Sequence, residues 1–148
     1  MDRFRLAFRL RGSGVAYLAA FVITQISSAA CADLYQDLGG KTGIAHIVGD
    51  LVTEAQLDRR ISAHFRHADL DRLREQFIDQ ICNLSGGPCQ YQGKDMISAH
   101  KNQIIDIAAF NALVEDLQAV MTKSGIANST QNALLAKLAP MYRQIVNH

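Results

Sequence analysis

The chain lacks the marks of several function classes. It has no basic stripe and no interleaving of basic with aromatic residues, which excludes the electrostatic footprint of a nucleic-acid binder. It has only three cysteines, no paired C-x-x-C motifs and scattered histidines, so a structural zinc site has no ligand set. After residue 33 no segment alternates apolar and polar residues, and a half-buried β-sheet is excluded with it. The longest apolar run near the start, Val15 to Ile26, is broken by Thr24 and Gln25 and falls short of the roughly 20 residues a bilayer span needs. What remains is a one-domain chain of 148 residues with a formal charge of +1.

That near-neutral charge is produced by the first 32 residues. Four arginines lie between Arg3 and Arg11, the apolar run follows, and Ser27-Ser28-Ala29-Ala30-Cys31-Ala32 ends it in small residues. The order charged, apolar, small is that of a secretory signal peptide. Cleavage after Ala32 reads Ala30-Cys31-Ala32 as the small-x-small site, and a cut after Ala30 fits the same run. A lipoprotein cut before Cys31 fits poorly, because Ser28 stands where such sites carry leucine. Residues 1–32 are therefore expected to be removed and residues 33–148 to form the mature domain, in the periplasm or outside the cell. No membrane span remains after cleavage. Removal takes away four arginines and Asp2, moving the formal charge from +1 to −2.

The mature segment reads as all-α. Leu70, Leu73, Phe77, Ile81 and Leu84 recur at three-to-four spacing, as do Phe110, Leu113, Val114, Leu117 and Met121. Leu134, Leu135, Leu138, Met141, Tyr142 and Ile145 extend the pattern into a last helix that Pro140 should bend. Asp69 and Asp106 stand where N-caps belong, and Gly125 where a helix ends. Gly39-Gly40 separates a very short first helix, Leu34 to Leu38, from one starting near Thr42. Helices of such unequal length, joined by tight corners, suit a fold that crosses helix pairs over a pocket. Cys82 and Cys89 flank the turn at Gly86-Gly87-Pro88. In an oxidising compartment they could close a small disulfide, and as free thiols they would be ordinary core residues.

The stretch Ser85 to His100, S-G-G-P-C-Q-Y-Q-G-K-D-M-I-S-A-H, is the most specific in the chain. A glycine pair and a proline end one helix, a loop follows Tyr91, and a brief helix starting near Asp95 carries one histidine at its end. A neutral imidazole so placed is a good axial ligand for haem iron. With L-Y-Q-D-L-G-G at its start, Phe65 in A-H-F, Ile105, Phe110 and L-A-P-M in the last helix, the chain resembles the group 1 truncated haemoglobins, the two-over-two globins of bacteria. The resemblance runs from about Leu34 to Val146.

The resemblance implies a truncated globin fold, a two-over-two helical sandwich around haem b, with His100 as the iron ligand. It implies that Phe65, Leu73, Phe77, Tyr91, Met96, Ile105, Phe110 and Leu113 line the cofactor. Lys94 and Lys101 are candidates for pairing with propionates, His64 and His67 flank the same corner, and His46 reads as a surface residue. The distal side departs from the family pattern. Val52 stands where many members have a tyrosine, and Phe77 where a glutamine is common. Gln76 and Gln80 lie nearby. The function implied is reversible binding of oxygen or another diatomic gas, including oxygen transport, with no catalytic residue assigned. The alternative on the same scaffold is an enzyme, a nitric oxide dioxygenase or a peroxidase-type detoxifier. Turnover would need a hydrogen-bond donor for bound oxygen and an electron source such as a reductase.

Overall fold

The computed structural model describes residues 34–147, so the expected leader lies outside the described residues. Among these residues all regular structure is helical: α1 (Leu34–Asp37), α2 (Gly40–Leu57), α3 (Leu70–Leu84), α4 (Met96–His100), α5 (Ile107–Lys123), α6 (Asn128–Leu138) and α7 (Tyr142–Ile145). Two 3₁₀ turns, Ser62–Phe65 and Ala139–Met141, complete the set. None of these helices is long and apolar enough to cross a membrane.

The starts of the helices follow from short carboxylate side chains. Asp69, Asp95 and Asp106 each accept the backbone N–H three residues on, from Arg72, Ser98 and Ala109, at 3.1, 2.9 and 2.7 Å. Each thereby satisfies one of the orphan donors of a first turn. α2 begins earlier than the composition suggests, at Gly40 rather than near Thr42. Gly39 and Gly40 both have positive φ, 82° and 64°, and two successive left-handed residues turn the chain out of α1 directly into α2. At the other end the expected bend becomes a change of helix type. α6 stops at Leu138, Ala139–Met141 winds as 3₁₀, and α7 resumes at Tyr142. Pro140 has no N–H to continue an α-helical ladder.

α2 packs on α3 and α5 on α6, while α2–α5 and α3–α6 contacts join the two pairs. This is a two-over-two arrangement. Its core is Leu38, Ile44, Val48, Leu51, Val52, Ile81, Cys82, Leu117, Val120, Met121 and Leu134, all at most 3% exposed. Cys82 is bonded to Cys89, with their Cα atoms 5.7 Å apart. The bridge ties the last turn of α3 to the loop that leads to α4. At the corner after α2, Arg60 forms ion pairs with Asp58 and Glu115 and reaches Asp116 Oδ1 at 3.9 Å. The other oxygen of Asp116 is buried with no hydrogen-bond partner. Burial, reinforced by the neighbouring carboxylates of Asp58, Glu54 and Glu115, pushes the Asp116 carboxyl above the usual carboxylate range, against the pull of Arg60.

Candidate functional site

α4 is one turn of helix presenting one histidine. Hydrogen bonds from Ser98 cap its start and hold the Asp95 carboxyl below its ordinary range. His100 closes the helix, half-buried, with Nδ1 2.8 Å from the carbonyl oxygen of Met96. A carbonyl can only accept, so the proton of a neutral ring sits on Nδ1, and Nε2 keeps its lone pair. That is the tautomer a metal-binding imidazole needs, with its second nitrogen fixed by the backbone of its own helix. The chain after His100 is also fastened. Gln103 N–H returns to the His100 carbonyl at 3.0 Å, and Asn147 holds both Gln103 and Ile105.

The apolar residues assigned to the cofactor differ from the core in their exposure. Phe65, Leu73, Phe77, Tyr91, Met96, Phe110 and Leu113 are all half-buried, and only Ile105, at 8%, is fully covered. The fold brings several of them together. Leu73, Phe77 and Leu113 pack against the core cluster that contains Val52. Phe65 and Leu113 pack against a second cluster of Ala55, Ile61 and Ala112, so Leu113 joins the two. Phe110 meets Tyr142 edge to face with ring centroids 5.2 Å apart. A row of large apolar side chains, four of them aromatic, left half-covered beside a main core whose cluster is almost fully buried fits a flat apolar ligand that finishes the core. The donor set fits as well, since His100 offers one unprotonated imidazole nitrogen. Phe65, Leu73, Phe77 and Leu113 would cover the face of a haem, and His100 would bind its iron.

Of the two glutamines of α3, one is engaged and the other is covered by a loop. Gln80, only 9% exposed, donates from Nε2 to Met96 Sδ at 3.6 Å and to Met141 Sδ at 3.5 Å. Gln76 lies under the loop before α4. Its Oε1 is buried without a partner, and a Cβ at Gly93 would collide with it and with the Tyr91 ring. Tyr91 itself donates to the Lys94 carbonyl at 2.6 Å, and burial, with the Asp95 charge, pushes its phenol above the ordinary range. Lys94, Lys101, His46 and His67 are exposed and His64 is half-buried. Composition pointed to neither Met141 nor Asn147 as neighbours of α4. The nearest signal was the L-A-P-M motif, which carries Met141 into that position. A shallow cavity lined by Leu34, Asp37, Ser129, Thr130 and Ala133 lies between α1 and α6, away from all these residues.

Comparison with known proteins places this geometry. The model of the family described as bacterial-like globin matches residues 33–147. A group 1 truncated haemoglobin from Tetrahymena pyriformis is 30% identical over 99 residues, which is 67% of this chain and 82% of the relative. A group 1 truncated haemoglobin from Mycolicibacterium paratuberculosis is 23% identical over 124 residues, 84% of this chain and 91% of the relative. The crystal structure of the Tetrahymena pyriformis truncated haemoglobin in its Fe(III) form superposes with a TM-score of 0.75 at 26% identity, covering 78% of this chain and 98% of that one.

Proposed function

The chain belongs to the bacterial-like globins and among them is a group 1 truncated haemoglobin, and from that premise we propose that it holds haem b through His100 and reversibly binds oxygen or another diatomic gas. Haem-based gas binding is what the family implies. The observation that carries the assignment to His100 is its hydrogen bond to the Met96 carbonyl, which leaves Nε2 free and pointed by a fixed ring. When bound, haem supplies an iron with one open position for a diatomic ligand. The residues of this chain do the rest: His100 anchors, Phe65 and its neighbours exclude water, and the half-buried leucines bound the ligand space.

The apolar character of Val52, Leu73 and Phe77, together with the engagement of Gln80, favours a binder over an oxidising enzyme. Nitric oxide dioxygenation or peroxide turnover would require a polar group beside the ligand, and of the two nearby carboxamides Gln80 is held by Met96 and Met141 while Gln76 lies under the loop at Gly93. The order of charged, apolar and small residues in 1–32 supports the further proposal that the domain works in the periplasm or outside the cell, with a reductase keeping the iron ferrous.

The test is His100→Ala in the mature chain, measured by absorption spectroscopy after haem loading. The variant should lose tight haem retention and the five-coordinate ferrous spectrum of a histidine-bound iron. Unchanged retention and an unchanged ferrous spectrum would end the assignment. Consumption of nitric oxide by the oxygenated native protein, at rates above the spontaneous reaction, would move the reading to the enzyme.

A further inference from the structure

α4 has little of its own to hold it. It is five residues long, and the segments on either side of it, up to Asp95 and from Lys101 to Asp106, have no α-helical ladder. A helix this short cannot persist on propensity, so its position is set by tertiary contacts. The contacts on its C-terminal side converge on one residue near the end of the chain. Asn147 Oδ1 accepts the N–H of Ile105 at 3.0 Å, and Asn147 Nδ2 donates to the carbonyl of Gln103 at 2.8 Å. The Asn147 backbone N–H donates to the Ile105 carbonyl at 3.1 Å. Gln103 in turn donates its N–H to the His100 carbonyl at 3.0 Å. Two hydrogen bonds therefore run from Asn147 to the backbone of the iron-ligand helix, in series through Gln103. A third and a fourth lock Ile105, which is 8% exposed.

We propose that Asn147 is a positioning residue for His100: its carboxamide clasps the segment Gln103–Ile105 and so fixes the helix that presents the imidazole. An asparagine suits the task because one side chain offers a donor and an acceptor on adjacent atoms, which pair with a carbonyl and an N–H two residues apart. Around the clasp, α7 packs on α4, which brings the chain terminus to the ligand helix in the first place. Opening the clasp frees the backbone from Lys101 to Ile105 without disturbing the main core, whose cluster includes none of these residues. The clasp therefore acts on the grip on the cofactor while the packing of the main core stays as it is.

This inference rests on the reading of His100 as the iron ligand, and the experiment separates the two. Asn147→Ala and Asn147→Asp are prepared in the mature haem-loaded chain, with His100→Ala alongside. Three quantities are compared: exchange of the Ile105 amide proton, the iron–histidine stretching band of the ferrous protein, and the rate of haem transfer to an excess of a haem-scavenging protein. Asn147→Ala should speed Ile105 exchange and haem loss by about tenfold each, the change that about 1.4 kcal/mol produces, and should shift or broaden the stretching band. Asn147→Asp keeps the acceptor for Ile105 but removes the donor to Gln103. It should leave Ile105 protected while haem loss still rises. The urea midpoint of Asn147→Ala should fall by no more than the clasp's bonds contribute, roughly 0.7 M at a slope of about 2 kcal/mol/M. Unchanged Ile105 exchange in Asn147→Ala means that the clasp does not exist. Faster exchange with an unmoved band and native haem loss means that it does not position His100. Either result overturns the proposal, whereas native spectra in His100→Ala would instead overturn the ligand assignment beneath it.

Discussion

Breaking the bond between Cys82 and Cys89 should lower stability by about 2.5 kcal/mol. The two residues are seven apart, so the bridge closes a very small loop. In the chain-entropy model such a loop costs the unfolded chain about 8 cal/mol/K, which gives that figure at 25 °C. The effect should fall almost entirely on the unfolded state, because other contacts hold the native loop. Gly87 N–H donates to the Cys82 carbonyl at 2.8 Å, and Asn83 Nδ2 donates to the Cys89 carbonyl at 3.1 Å. Gly87 also lies where any Cβ would come within 2.5–2.7 Å of the Tyr35 ring and Cys82 Sγ. The reduced native loop therefore keeps its path, and the spectra and gas affinity of the haem-loaded protein should hardly change.

The cleanest perturbation is reduction itself. Cys82 is 0% exposed, and replacing it by serine would bury a new hydroxyl and add a separate penalty. Urea unfolding of oxidised and fully reduced protein, with thiols counted by alkylation and mass spectrometry, measures the difference. For a denaturant slope of about 2 kcal/mol/M, the midpoint should fall by roughly 1 M. Equal midpoints, with the thiols shown to be free in one sample and bonded in the other, would refute the reasoning. So would two free thiols in non-reduced protein recovered from outside the cytoplasm.

Three further outcomes follow from the site and its surroundings. Leu73→Gln should slow oxygen release several-fold by supplying one hydrogen bond worth about 1 kcal/mol, read by stopped-flow displacement; an unchanged rate would mean that some other group already donates. Leu73 is the better position than Val52 for this test, because Val52 is 2% exposed and a tyrosine there would overpack the core. Gly93→Ala should destabilise the fold by about 1–3 kcal/mol and hasten haem loss, since its Cβ meets Gln76 and Tyr91, and a variant as stable as the parent in urea would contradict that crowding. Asp116→Asn should stabilise the chain at neutral pH, because the folded-state pKa of Asp116 is raised, so its ionisation costs stability that accrues as pH rises from 3.8 through the folded value and is complete above it. The gain should vanish below pH 3.8, where the carboxyl is neutral in both states, and a gain that persists in acid would point to a cause other than charge.

Much of the helical frame could be read directly from residue spacing. The apolar rows of α3 and α5 and the caps at Asp69 and Asp106 are local patterns, and each side chain in them acts within four residues of itself. The site was legible where it is equally local: Asp95 starts α4 and His100 ends it, on the same turn of chain. What the pattern could not carry are partnerships between distant segments. Gln80 meets Met141 across 61 positions and Asn147 meets Gln103 across 44, and no period in a sequence encodes such a pair. Pro140 shows the same limit from another side, since the missing N–H was visible but the conversion of a turn to 3₁₀ depends on what α6 and α7 pack against.

The two kinds of contact divide the labour in the site. Local patterning builds the rods and places one imidazole at the end of a helix one turn long. Long-range polar contacts then decide how firmly that helix is held, and they involve α3, the 3₁₀ turn and the chain terminus. This division explains how the chain can depart from the family pattern at Val52 and Phe77 without disturbing the anchor. In the proposed reading those two residues border the ligand, while the grip on His100 comes from Met96 within its own helix and from contacts after it. Ligand preference and cofactor retention should therefore respond to separate mutations. Leu73→Gln should alter gas release at constant haem loss, and Asn147→Ala should alter haem loss at nearly constant gas release. A substitution set in which the two quantities always move together would show that distal and proximal sides are coupled through the haem cleft, and the separation argued from these contacts would fall.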